Sequence, residues 1–108
     1  MNCKLRAKNC GGCPLLETEY PEQLKQKEAA VRKLLSKYGP VHPIRGMAEP
    51  FHYRNKVIST FAPGYGGKLT SGIYAARTHK VLPVEHCLLQ DEVLDTVMDA
   101  VRCAANAC

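Results

Sequence analysis

The chain contains no tryptophan, and aromatic residues make up 6% of its 108 positions. A core without large rings must be assembled from Leu, Val, Ile and Ala. Such a core is thin in a chain of this length, which suits one small domain burying roughly two-thirds of its unfolded surface. No apolar run is long enough to span a membrane. The first residues carry Lys4, Arg6 and Lys8 with no apolar stretch behind them, which is unlike a signal peptide. Both absences point to a cytoplasmic chain. The glycine-dense turn from Gly64 to Lys68 lacks the Gly-x4-Gly-Lys-Ser/Thr spacing and joins two strand-like segments, which excludes a phosphate-cradling loop. Nor is there a glycine-rich strand-to-helix turn of the kind that seats a nucleotide cofactor. Acidic side chains are the minority, 10 Asp and Glu against 15 Lys and Arg, and the net charge of +5 favours an acidic partner, nucleic acid first. There is no internal repeat and no low-complexity segment.

What the chain has in quantity is cysteine, six residues in all. Without export signals these are expected to be reduced, hence ligands rather than disulfides. Cys3, Cys10 and Cys13 share one short basic loop, too close together for each to find its own core position, and Gly11 and Gly12 let the backbone between Cys10 and Cys13 wrap tightly. Cys87, at the end of an apolar run, is the natural fourth member. A thioredoxin-type redox pair would need a helix N-terminus in a βαβ setting, which Pro14 and the basic loop do not provide. Four thiolates at this spacing suit structural zinc or an iron–sulfur cluster, and spacing alone does not separate the two. Closing the long loop between Cys13 and Cys87 costs roughly 4 kcal/mol. A structural thiolate site contributes on the order of 10 kcal/mol, enough to organise the fold. Cys103 and Cys108, in the terminal helical stretch, are expected to be small thiols outside the ligand set.

The element pattern is mixed. Pro21 and Glu22 suit a first helical turn, and Leu24, Val31, Leu34, Leu35 and Tyr38 recur at helical spacing, predicting a helix over 21–38 that Gly39-Pro40 stops. Residues 40–50, with three prolines, read as an extended connection with a short strand at 41–45. Phe51 to Phe61 reads as a strand, Pro63 to Lys68 as a turn, and Leu69 to Ala76 as the returning strand of a hairpin. Residues 80–84 suggest a third strand in which Pro83 needs an unpaired position. Asp91 is a helix cap, followed by Val93, Leu94, Val97, Val101 and Ala104 at helical spacing.

Basic residues are the second feature. Lys4, Arg6 and Lys8 alternate in the cysteine loop, Arg54 and Lys56 on the expected strand, and Arg77, His79 and Lys80 follow the hairpin. If they converge, they supply phosphate contacts that position RNA without reading its sequence. Tyr65, between glycines at the hairpin tip, reads as a turn residue that an unpaired base could also stack upon. Tyr20, Tyr53 and Tyr74 read as core or half-buried, and His86 as an ordinary neighbour of Cys87.

Four motifs occur in order: Cys3-x6-Cys10-Gly11-Gly12-Cys13, Tyr20-x2-Gln23-Leu24-x2-Lys27, Tyr53-Arg54-Asn55-Lys56 and Cys87-Leu88-Leu89-Gln90. In this order they resemble the RNA uracil-5-methyltransferases, S-adenosylmethionine-dependent enzymes that make 5-methyluridine in ribosomal and transfer RNA. The resemblance runs to about Glu92. It implies a 4Fe–4S cluster held by Cys3, Cys10, Cys13 and Cys87. It also implies RNA as partner, ribosomal rather than transfer RNA, and a following methyltransferase domain that this chain stops short of. In that family a cysteine adds to uracil C6, the methyl group goes to C5, and a base removes the C5 proton. The motifs for that nucleophile, that base and S-adenosylmethionine lie beyond this sequence, so no catalytic residue is assigned and the chain alone is not expected to methylate RNA. The start at Cys3 leaves no room for the N-terminal β-barrel that some relatives carry.

The expectation is therefore an α+β chain, with a cysteine-rich loop and helix packed with a small antiparallel sheet and a C-terminal helix. Residues 1–20 form the cluster-binding loop, and residues 21–108 a small RNA-recognition domain that includes Cys87. The other readings are a stand-alone zinc-stapled nucleic-acid-binding module, and a small electron carrier, against which the basic surface argues.

Overall fold

The computed structural model describes residues 3–108, so the first two residues of the expected 1–20 segment lie outside the described residues. The architecture is α+β, with two helices and a three-stranded antiparallel sheet. The chain divides into two compact units, residues 14–49 and the combination of residues 3–13 with 50–108.

In the first unit α1 spans Tyr20–Leu35, with Pro21 in its opening turn and Glu22 near the positive helix end. Gln23 Nε2 donates to the carbonyls of Leu15 (3.1 Å) and Thr18 (2.8 Å), tying the incoming chain to the helix start. The helix ends three residues before the expected Tyr38, through a Ser36 N–H to Arg32 carbonyl bond, and Gly39-Pro40 follows. No strand forms at 41–45. That stretch instead lies along α1, where Ile44 N–H donates to Glu28 Oε2 (2.8 Å) and Met47 N–H to the Tyr20 hydroxyl (2.7 Å). None of the α1 side chains is buried, and Leu34 and Tyr38 are 65% and 77% exposed, so the stripe read from the sequence is not a core within this unit.

In the second unit β1 (Thr60–Pro63), β2 (Leu69–Tyr74) and β3 (Val81–Pro83) pair antiparallel in the order β1-β2-β3. The hairpin and third strand match the sequence reading. The long strand expected from Phe51 does not form, because His52 takes a left-handed backbone (φ 50°) that interrupts extension, and pairing starts only at Thr60. Residues 52–54 instead run beside 88–91. His52 N–H donates to the Leu88 carbonyl, Arg54 N–H to Leu89 (2.8 Å) and Asp91 N–H to Arg54 (2.8 Å). Pro83 stands opposite Gly72 on an edge strand. The ladder bonds fall on the neighbouring pairs, with Val84 N–H donating to the Ser71 carbonyl (3.1 Å), so the N–H that proline lacks is not called upon.

Helix α2 (Glu92–Ala107) is capped by Asp91, whose Oδ1 accepts from Val93 N–H (3.0 Å). It is fastened to β2 by polar groups. Arg102 Nη1 donates to Ser71 Oγ (3.0 Å), and Asn106 brackets Leu69, accepting its N–H at 2.7 Å and donating to its carbonyl at 3.0 Å. Val93, Val97 and Val101, a core stripe by periodicity, are half-exposed or more. Among the described residues, the buried apolar side chains are Ala75, Leu82 and Leu89. The core is aliphatic and thin, as the composition requires.

Candidate metal centre and basic surface

The segment from Cys3 to Cys13 is shaped by a 3-10 turn at Arg6–Lys8. Arg6 N–H donates to the Cys3 carbonyl (3.1 Å), and Cys10 N–H returns to Leu5 (3.3 Å). Asn9 turns the chain in the left-handed region (φ 58°), which asparagine tolerates better than most residues. The loop then docks on the end of β2: Cys10 forms an antiparallel bridge with Ala75, and Ala76 N–H donates to the Asn9 carbonyl (2.9 Å). The glycines here serve close approach rather than a tight turn. A Cβ on Gly11 would sit 3.3 Å from the Tyr74 carbonyl oxygen, and one on Gly12 would sit 3.1 Å from Ile73 Cδ1.

Cys87 reaches the same region from the connection between β3 and α2. Its position shows in the electrostatics of Cys13. Burial raises the Cys13 thiol pKa most, and the nearby Cys87, then Cys10 and Cys3, push it the same way, while the Arg54 guanidinium lowers it. All four thiols are half-buried. Among the described residues, no three His, Cys, Asp or Glu side chains are already gathered tightly enough to hold a metal ion. These two observations are compatible. Charge coupling acts over several ångströms, whereas ligation needs each sulfur about 2.3 Å from the ion. The four thiols thus share one neighbourhood without forming a closed ligand set. As donors they suit a thiophilic metal or cluster, and an adjacent arginine suits the net negative charge of such a centre.

Arg54 holds this neighbourhood together. Its backbone is paired with Leu89 and Asp91, just after Cys87, and its Nη2 donates to the Gly12 carbonyl between Cys10 and Cys13 (3.4 Å). The alternation with Lys56 suggested a phosphate contact; the packing of 52–54 against 88–91, invisible in the local pattern, gives Arg54 an intrachain partner. Lys4, Arg6, Lys8, Lys56, Arg77 and Lys80 are all exposed. Lys4, Arg6 and Lys8 lie in the cysteine loop, and Arg77 and Lys80 in the turn after β2, whose start at Ala76 is bonded to Asn9. Among the described residues, no contact draws Lys56 into this group. Tyr65 is fully exposed at the hairpin tip, Tyr74 stacks edge-on against His79 with centroids 5.5 Å apart, and Tyr53 is 47% exposed. Cys103 and Cys108 are exposed on or just after α2.

Sequence reasoning missed Asp95. It is buried, and its two carboxyl oxygens accept from the Gln90 side chain and from Cys87 N–H (3.3 Å). Its place in the first turn of an amphipathic helix reads as solvated, and its burial depends on how residues 86–90 fold over it.

No protein-family model matches the chain. It is 40% identical over 98 residues to a Bacillus cereus protein named "Uncharacterized RNA methyltransferase". It is 38% identical over 104 residues to one so named from Oceanobacillus iheyensis, and 30% over 99 residues to one from Streptococcus pyogenes serotype M3. The chain is a homologue of one segment of proteins named RNA methyltransferases. The alignments take in 86%, 91% and 85% of this chain but 21%, 22% and 22% of the relatives, so the chain spans about a fifth of their length. The RNA methyltransferase names agree with the resemblance carried by the four motifs as far as RNA methylation. They specify no cofactor, class of RNA or base. No helix among the described residues is long and apolar enough to cross a membrane.

Proposed function

We propose that this chain is the N-terminal iron–sulfur and RNA-recognition part of a cytoplasmic, S-adenosylmethionine-dependent RNA uracil-5-methyltransferase acting on ribosomal RNA. The observation that carries this reading is Arg54, which ties the Cys10–Cys13 stretch to the segment just after Cys87 through its Nη2 bond to the Gly12 carbonyl (3.4 Å) and its backbone pairing with Leu89 and Asp91, in a chain homologous to proteins named RNA methyltransferases. Cys3, Cys10, Cys13 and Cys87 would hold a 4Fe–4S cluster. With four protein thiolates no iron is left open, so what the group supplies when bound is a cross-link between the N-terminal loop and the β3–α2 connection. Lys4, Arg6, Lys8, Arg77 and Lys80, on segments that adjoin at the cysteine loop, would meet RNA phosphates, with Lys56 a further contact. Arg54 serves the loop itself. Methyl transfer, its nucleophile and the S-adenosylmethionine site would belong to a further domain of the whole protein.

The test is metal analysis of oxygen-free preparations. Iron and sulfide in cluster proportion, with absorption near ~400 nm, are expected. A colourless chain with stoichiometric zinc would favour the zinc-stapled module instead. Cys87→Ser should lower iron content and melting temperature together, and unchanged iron would remove Cys87 from the ligand set. For the whole protein, label from methyl-labelled S-adenosylmethionine should enter ribosomal RNA at uridine C5. Labelling of transfer RNA alone would overturn that assignment.

A further inference from the structure

The turn that carries Cys87 is folded around a single carboxyl group. Asp95 sits in the first turn of α2, where the helix N-terminus favours negative charge. Its Oδ2 accepts from Cys87 N–H (3.3 Å), and its Oδ1 accepts from Gln90 Nε2. The His86 ring nitrogen stands 3.8 Å from Oδ2, but the imidazole is 90% exposed and fixes nothing there. The residue is 9% exposed, so this is a sheltered group with both oxygens directed at the Cys87 turn. Gln90 is itself buried, and its carbonyl faces His52 Nδ1 at 3.0 Å. Both sides of the turn are therefore held.

Outer groups that orient ligands contribute substantially to metal affinity. N–H groups aimed at cluster or thiolate sulfur raise a cluster's reduction potential, and nearby negative charge lowers it. We propose that Asp95 is the positioning residue of the four-thiolate centre: by taking the Cys87 N–H it fixes the turn that presents the Cys87 sulfur, and it withholds that N–H from the metal-bound sulfurs. This rests on the reading of Cys3, Cys10, Cys13 and Cys87 as ligands. It deepens that reading by assigning the centre a lowered potential.

Two substitutions separate the effects. Asp95→Asn keeps an oxygen for the Cys87 N–H, and Gln90 can turn its amide to accept from the new NH2, but the negative charge is gone. This variant should retain metal against a chelator about as well as the parent, while its reduction potential moves upward. Asp95→Leu keeps the bulk but accepts nothing, and should weaken metal retention roughly 10- to 100-fold. Potential is read by titration with electron paramagnetic resonance, a signal that loss of general stability alone would not shift in a variant that keeps its cluster.

Parent-like retention in both variants, with an unmoved potential in Asp95→Asn, would overturn the inference. Parent protein that binds zinc in place of iron defeats the iron–sulfur reading alone, since zinc retention across the two variants still decides whether Asp95 positions Cys87. Parent protein that takes up neither metal defeats the four-thiolate reading and this inference with it.

Discussion

Gly72 on β2 faces the narrow gap to β3, and replacing it with alanine tests how the sheet delivers Cys87. A Cβ there would overlap the Leu82 carbonyl oxygen and lie 2.8 Å from the Leu82 carbonyl carbon and 3.0 Å from Val84 N. These are backbone atoms of a paired strand, with no flexible side-chain end to give way, so β3 must retreat by roughly 1.5 Å to restore contact distance. The retreat opens the Val84–Ser71 ladder bond (3.1 Å) and strains Ala75–Lys80 (2.8 Å), each worth about 1 kcal/mol net. It also lifts Leu82, 5% exposed, partly out of the core, a further loss of about 1 kcal/mol. The total is about 3 kcal/mol, the upper end of ordinary overpacking. For a domain of this size that lowers the melting temperature by roughly 10–25 °C. Because β3 runs through Val84, Glu85 and His86 into Cys87, metal retention should fall in the same variant. Thermal melting followed by circular dichroism reads the first effect, and chelator competition the second. Gly39→Ala is the control: nothing lies within 4 Å of the added Cβ, and its melting temperature should stay near the parent's. A Gly72→Ala chain melting within about 2 °C of the parent would refute the close β2–β3 approach.

Arg54→Ala should speed metal loss to a chelator several-fold, because it removes the bond to the Gly12 carbonyl and the positive charge beside Cys13. It should leave the salt dependence of RNA binding unchanged, whereas Lys8→Ala should lower that slope by about one; the reverse pattern would return Arg54 to the RNA-contact set. In residues 14–49, the Ile44 N–H and then Arg32 hold the Glu28 pKa below its ordinary value of 4.5. A depressed carboxylate contributes stability that is fully present above that value and is lost as pH falls through the lower folded pKa. The Ile44 amide resonance should therefore shift on acidification with a midpoint below 4.5. Glu28→Gln, which keeps an acceptor but cannot ionise, should flatten that shift, and an unchanged acid limb in this variant would remove Glu28 as its source.

Signals carried by local chemistry were legible in the sequence. Pro21 and Gly39-Pro40 bracketed α1, Asp91 announced α2, and Pro63 to Lys68 announced the hairpin, because each depends on a few adjacent residues. The clustering of Cys3, Cys10 and Cys13 in one short loop is local in the same sense, whereas the choice of Cys87 as their partner is not. Properties set by distant partners were not legible. Tyr53, Val57 and Phe61 have strand composition, but the left-handed turn at His52 and the pairing of Arg54 with Leu89 and Asp91 divert the chain away from the sheet until Thr60. Gly72 looked like any strand glycine until Leu82 was set against it.

The helices show the same division. Periodicity placed a helix after Asp91, yet the side chains that fasten it to β2 are Arg102 and Asn106, and the one it buries is Asp95. An apolar-stripe argument picks Val93, Val97 and Val101 because it assumes that a helix docks by hydrophobic area. Here Ser71, at 1% exposure, presents a hydroxyl to the helix, and a buried hydroxyl is worth docking against only if it is hydrogen-bonded. The thin aliphatic core follows from the same arrangement. With Ala75, Leu82 and Leu89 as its buried apolar side chains, the second unit gains little from area alone. A bond between the loop of Cys3, Cys10 and Cys13 and the turn of Cys87 would then contribute a large share of its stability. On that argument, stripping metal from the chain should melt the β3–α2 connection before the β1–β2 hairpin. Hydrogen exchange at the Cys87 and Asp91 amides, compared with Ala62 and Thr70, would show the reverse order if the core alone held the fold.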